Sequence, residues 1–295
     1  MKPSPFVYHR PTTLEEALET LAEVGADGKV LAGGQSLIPL MSMRLAAPAH
    51  LVDINHVDGL DRIVTDRRGV RVGATSRHAT VERDPAAFAA VPLLRQALAH
   101  VAHPTIRNRG TTVGSLAHAD PSGEMTAVLA LLGGTVTLAS RGSERTVGAA
   151  DFFQGPLESA VRPGEVAVEA FFPAPAGRTG SAWVEVSRRH GDYAVCGVGA
   201  LVTLDDDLRV TAAGVGLISV GPTPVVVDVA AALAGQPYDA ADMGAAGALV
   251  RAAVDPEPDI HATAEYRRHL AGTLTERAVR DAARAAAATV DGGDA

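Results

Sequence analysis

Cysteine is almost missing from this sequence: Cys196 is the only one among 295 residues. A single thiol forms no internal disulfide and cannot supply the four thiolates of an iron–sulfur cluster. If this chain handles electrons through such a cluster, the cluster belongs to a partner. Long apolar runs are missing too. No window approaches the roughly eighteen apolar residues of a membrane span. The opening MKPSPFVYHRPTTLEEAL has no apolar core of the kind a secretory signal needs. The expectation is a soluble, cytoplasmic protein with no transmembrane segment. Basic clusters are absent as well. The 26 Lys and Arg are dispersed and the net charge is −8, which argues against nucleic acid, whose backbone demands a basic footprint. The lack of long same-sign runs argues against an interaction tail as well.

Several familiar sites fail residue by residue. The only Gly-Lys, Gly28-Lys29, is followed by Val30 where a Walker loop needs Ser or Thr. GVGLIS and GVGALV have the first two glycines of a dinucleotide fingerprint but not the third. In GGQSLI, Ile38 occupies the place of the second glycine of a nucleophile elbow. There is no HExxH, and the 10 histidines show no zinc-ligand spacing. His100 and His103 could share a helix face; a surface or capping role is the simpler reading.

The remaining composition is ordinary for a globular chain, 47% hydrophobic and 20% charged, and the length implies two or three domains. Thr13 before LEEALETLAEV, with Glu16 three residues on, spells a capping-box start to an amphipathic helix. KVLA, HLVDI and GVRVGA read as strands, and TVERDPAAFAAVPLLRQALAHVA as largely helical, which gives an α+β architecture. From Gly133 strands and turns dominate. PAPAGRTG, Pro173 to Gly180, is the best domain boundary. Beyond it come three strand candidates, then Ala-rich helices, and DGGDA as a fraying tail.

Two stretches carry chemistry. In KVLAGGQSLIPLM a strand runs into Gly33-Gly34 and then Ser36. Paired glycines let a backbone approach another group closely, and backbone N–H groups exposed that way bind phosphate; a bare structural turn is the competing explanation. In HPTIRNRGTTVGSLAHADPSGE, Gly110 and Gly114 flank Thr111 and Thr112, followed by Ser115, Asp120 and Glu124. Small and hydroxyl residues there admit a phosphate or ribose, and the acids could accept from ribose or ribityl hydroxyls. Alone, this is a polar loop.

Together, AGGQSLIPLMSMRL and IRNRGTTVGSLAHADP resemble the FAD-binding medium subunit of molybdenum hydroxylases, the carbon monoxide dehydrogenase and xanthine dehydrogenase family. RTVGAADFFQGP, VEVSRRHGDYA and DIHATAEYRRHLAGTLTERAVRDA extend the resemblance over nearly the whole chain. It implies a two-subdomain FAD-binding fold of the vanillyl-alcohol-oxidase (PCMH) type over residues 1–176, divided near residue 55, and a C-terminal α+β domain with a three-stranded sheet over 177–290. It implies noncovalent FAD wrapped at the pyrophosphate by Leu31, Ala32, Gly33, Gly34, Gln35, Ser36, Leu37 and Ile38. The other side would be held by Thr111, Thr112, Val113, Gly114 and Ser115. Glu124 would contact the flavin nucleotide, Val101 and Ala167 would line the site, and Tyr193 would pack near the isoalloxazine, a core tyrosine being the alternative. No catalytic acid, base or metal ligand is assigned.

The resemblance further implies an electron-transfer subunit. A small subunit would carry two [2Fe-2S] clusters, a large one the molybdenum cofactor, and the whole would assemble as a dimer of heterotrimers. FAD would pass electrons to an external acceptor. The alternatives are a self-contained FAD oxidoreductase of the same fold and a redox-inactive nucleotide-binding module. The last is kept open by one departure: Val113 stands where members have the first glycine of a pair. A β-branched residue resists positive φ. Either that position needs no glycine conformation, or this half of the grip is looser.

Overall fold

The computed structural model describes residues 2–288, so the terminal DGGDA lies outside the described residues. The chain begins with a three-stranded parallel sheet in the order Val7–His9, His50–Asp53, Gly28–Leu31. Helix Leu14–Val24 covers it with Ala17, Leu18 and Leu21. Its start is the expected capping box: Thr13 Oγ1 accepts from the Glu16 N–H at 3.2 Å, and Glu16 Oε2 accepts from the Thr13 N–H at 3.3 Å.

A five-stranded antiparallel sheet follows, ordered Ile63–Asp66, Gly69–Gly73, Val166–Pro173, Thr135–Ser140, Ser143–Gly148. Val166–Pro173 is central although it comes last in sequence, and the chain between Gly73 and Thr135 is an insertion joining the two strands that flank it. That insertion is helical and supplies the apolar face, with Leu93, Leu94, Leu98, Leu116, Met125 and Leu129 fully buried against Val70, Val136 and Phe172. Burial of so much contiguous apolar surface, at roughly 25 cal/mol per Å², is the main force holding this half together.

The C-terminal sheet is an antiparallel meander. The three expected strands, Arg178–Ser187, Ala194–Leu204 and Val210–Ile218, are joined at the edge by a fourth, Val225–Asp228. Its sequence, VVVD after GPTP, is too short to register as a separate strand without its partner. Helix Ala264–Ala288 lies across the first two strands. At Gly180 a Cβ would collide with the Ala282 carbonyl and the Ala286 nitrogen, so only glycine lets strand and helix backbones meet. Arg267 fastens the start of that helix, donating to the Val195 and Ser219 carbonyls at 2.7 and 3.0 Å and to Asp259 at 2.6 Å. The sheet also packs on helices Pro92–Leu98 and Glu124–Leu131, and Ser219 donates to Ser122 at 2.8 Å, which fixes the two halves against each other. No helix among the described residues is long and apolar enough to cross a membrane.

Candidate cofactor site

The first glycine segment leaves strand Gly28–Leu31, turns at Gly34 with φ of 71°, and enters the short helix Leu37–Ser42. The Ile38 N–H donates back to the Gly34 carbonyl at 3.1 Å. Among the described residues the N–H groups of Gly33, Gly34, Gln35 and Ser36 meet no acceptor, while Gln35 Nε2 donates to the Gly33 carbonyl at 3.3 Å. Successive backbone donors without a protein partner are the kind of group that binds an anion. Ile38 closes over Gly34, its Cγ1 3.2 Å from where a Cβ would stand, with Leu31 Cδ1 equally close.

The second segment differs from its expected form as a polar loop: Thr112–His118 is a helix. Thr111 caps it, Oγ1 accepting from the Gly114 N–H at 3.2 Å. The N–H groups of buried Thr111 and Val113 likewise meet no acceptor among the described residues. Val113 has ordinary helical backbone, and its side chain, 1% exposed, is part of the main core. The valine therefore needs no glycine conformation.

The two segments touch. A Cβ on Gly33 would stand 2.6 Å from the Arg109 carbonyl, 2.7 Å from Gly110 Cα and 2.9 Å from the Thr111 nitrogen. Gly33 is thus the point at which the two segments, each with N–H groups lacking a protein acceptor, pack backbone to backbone. N–H groups without a protein acceptor on both segments, and the close approach at Gly33 that only glycine allows, are features that suit the oxygens of a pyrophosphate such as that of FAD. Thr112 faces inward, its Oγ1 3.2 Å from Nδ1 of buried His78, and Ser36 and Ser115 are both half-buried. Burial, and then the charge of Arg107, push His78 down to about 4, so it is neutral at ordinary pH.

A second polar cluster is built by Glu124, Glu185, Asp120 and Tyr193. Glu124 opens helix Glu124–Leu131 and is buried. Burial, then the charge of Glu185, push its carboxyl up to about 8. Glu185 accepts from Trp183 Nε1 at 3.0 Å and lies 3.4 Å from His100. The Tyr193 ring is 66% exposed, yet its hydroxyl is hemmed in by protein and by Asp120, which push the phenol up to about 12. It is a surface ring rather than a core tyrosine. Ala167 lies with Val113 in the main core, and partly buried Val101 packs against that core. His100 and His103 share no helix face, because helix Pro92–Leu98 ends before them.

Glu124 has a pH consequence. Its folded pKa exceeds its unfolded value, so its contribution to stability is present below about 4.5 and is lost as pH rises through about 8. His78, depressed, acts oppositely, with stability lost as pH falls from about 6.5 to about 4. The cofactor-free protein is expected to have a lower urea midpoint at pH 9 than at pH 7, and Glu124→Gln to flatten that decline. An unchanged decline in the variant would show that another group titrates.

Residues 4–175 match the family model "FAD binding domain in molybdopterin dehydrogenase", and residues 181–282 match "CO dehydrogenase flavoprotein C-terminal domain". The chain belongs to this family of FAD-binding dehydrogenase subunits. It is 38% identical to the 6-hydroxypseudooxynicotine dehydrogenase complex subunit alpha of Paenarthrobacter nicotinovorans, covering 96% of both chains. It is 37% identical to the carbon monoxide dehydrogenase medium chain of Afipia carboxidovorans, covering 96% of this chain and 98% of that one. The crystal structure of quinoline 2-oxidoreductase from Pseudomonas putida superposes with a TM-score of 0.91 at 36% identity, over 97% of this chain and 99% of that one.

Two residues of this flavoprotein subunit's site escaped sequence reasoning. Asn55 Nδ2 donates to the Ala32 carbonyl at 2.7 Å, and Arg77 donates to Asn55 Oδ1 at 2.6 Å and to the Arg109 carbonyl at 2.7 Å. Neither lies in a glycine-bearing motif, and no spacing connects them to one. Only the strand pairing His50–Asp53 with Gly28–Leu31, which carries Asn55 beside Ala32, would have pointed there.

Proposed function

We propose that this chain holds FAD noncovalently as the electron-transfer subunit of a molybdenum hydroxylase. The observation that carries the reading is the cradle of open N–H groups at Gly33–Ser36, Thr111 and Val113, joined at Gly33. Bound FAD would supply the redox chemistry, taking electrons from [2Fe-2S] clusters of a small subunit and passing them to an external acceptor. The chain's own residues bind and orient. Leu31 to Ile38 and Thr111 to Ser115 hold the pyrophosphate from two sides, Glu124 meets the nucleotide, and Tyr193 stands at the exposed rim. Substrate oxidation belongs to a large subunit with the molybdenum cofactor, and the assembly is a dimer of heterotrimers. Val113 in an ordinary helical turn supports an intact second segment and speaks against a redox-inactive module.

The sole cysteine, Cys196, is buried, and burial pushes its thiol up to about 12, which disfavours a covalent flavin link there. The purified chain is expected to be yellow, to release all its flavin on acid precipitation, to be bleached by dithionite, and to oxidise no organic substrate by itself. Adding the iron–sulfur and molybdenum subunits should make flavin reduction substrate-driven. Turnover of an organic substrate by the isolated, metal-free chain would assign it instead as a self-contained oxidoreductase.

A further inference from the structure

Two polar side chains outside both glycine segments tie the segments to each other. From the first segment, the Ala32 carbonyl accepts from Asn55 Nδ2 at 2.7 Å. Asn55 Oδ1 in turn accepts from Arg77 Nη2 at 2.6 Å, and Arg77 Nη1 donates to the Arg109 carbonyl of the second segment at 2.7 Å. We propose that Arg77 and Asn55 form a cross-brace that sets the spacing of the two halves of the FAD cradle, a pair of positioning residues that touch no cofactor atom themselves. The proposal rests on the FAD reading given above.

Three features place the brace at the working point of the cradle. The Arg109 oxygen that Arg77 holds is the atom a Gly33 Cβ would meet at 2.6 Å, so the bonded carbonyl is also the surface against which the first segment is seated. Across a trans peptide the C=O and the following N–H point in opposite directions. Holding the Ala32 carbonyl toward Asn55 therefore turns the Gly33 N–H away from Asn55 and leaves it without a protein partner. The brace is itself anchored: Asp53 Oδ1 accepts from the Asn55 N–H at 2.9 Å, and Tyr8 donates to Asp53 Oδ2 at 2.6 Å. Tyr8, Asp53, Asn55 and Arg77 thus run from the parallel sheet to the second segment.

Each half has its own backbone support. The second segment is bonded to the chain around Arg77, His78 donating its N–H to the Gly110 carbonyl at 2.9 Å and Thr112 donating to Ser76 at 3.3 Å. The first continues a strand paired with His50–Asp53. Cutting the side-chain link should leave both segments folded and loosen only their separation. An arginine is needed for this, because its planar fork presents two donors at a fixed angle to two acceptors, whereas a lysine ammonium is a single point on a flexible stem.

The test compares wild type with Arg77→Lys, Asn55→Ala and the double variant, measuring the FAD dissociation constant, the apo-protein melting temperature and the visible circular dichroism of bound flavin. Each single variant is expected to weaken FAD roughly tenfold or more, the scale of a lost charge-assisted hydrogen bond. The double should be no weaker than the poorer single, because both cut one chain of bonds. Apo melting should stay near wild type while the flavin dichroism changes. Should Arg77→Lys fail to fold, Asn55→Ser, which keeps a hydroxyl too short to span the gap, gives the same reading. FAD affinity within about twofold of wild type, or losses that multiply in the double variant, would overturn the brace. A fall in apo melting that accounts for the whole loss would overturn it too. Wild-type protein that binds no FAD at all would overturn the cofactor reading and the brace with it.

Discussion

Gly33→Ala is expected to abolish FAD binding, with the variant purifying colourless and its affinity reduced about a hundredfold or more, near 2.7 kcal/mol. The added methyl carbon would stand 2.6 Å from the Arg109 oxygen, 2.7 Å from Gly110 Cα and 2.9 Å from the Thr111 nitrogen. All three are backbone atoms, so no flexible side-chain end can swing aside. Relief requires the two segments to part, and a cradle whose halves have moved apart cannot bring both sets of N–H donors to one pyrophosphate. Gly148→Ala is the control, because its methyl would meet open space and its φ is −69°. That variant should bind FAD like wild type. A yellow Gly33→Ala protein with full flavin occupancy would place the pyrophosphate elsewhere.

Val113→Gly is expected to lower stability by about 3 kcal/mol, the sum of a core cavity and a glycine inside a helix. The side chain it removes is 1% exposed and packs in the main core with Leu116 and Ala167. A shift of the denaturant midpoint at unchanged slope measures the loss. Placing glycine at this position should therefore harm the protein without tightening FAD. A large gain in FAD affinity with unchanged stability would mean that the valine distorts the second segment after all.

The elements with local signals were legible in the sequence. Thr13 and Glu16 specify a helix start by contacts three residues apart, and that helix forms with both capping hydrogen bonds. The glycine pair before Ser36 marked a backbone that had to come close to something. What it comes close to, the Arg109–Thr111 backbone, is set by the packing of a sheet on an insertion of helices, and no local pattern encodes it. The same is true of Asn55 and Arg77, whose roles exist only once two distant carbonyls face them. The small and hydroxyl residues of Thr112–His118 favour turns in isolation. Burial of Val113 and Leu116 overrides that preference and makes it a helix. Val225–Asp228 needed its neighbour Val210–Ile218 before four residues could count as a strand.

Comparing FAD with riboflavin tests most directly whether the N–H cradle holds a pyrophosphate. The two share the isoalloxazine and ribityl chain, and only FAD carries the phosphates. Titrating apo-protein with each, followed by flavin fluorescence, should show FAD bound at least about a hundredfold more tightly, and Gly33→Ala should erase most of that difference. Equal affinity for the two flavins, or a difference that survives intact in Gly33→Ala, would contradict the assignment of Gly33–Ser36 and Thr111–Ser115 as the grip on the pyrophosphate.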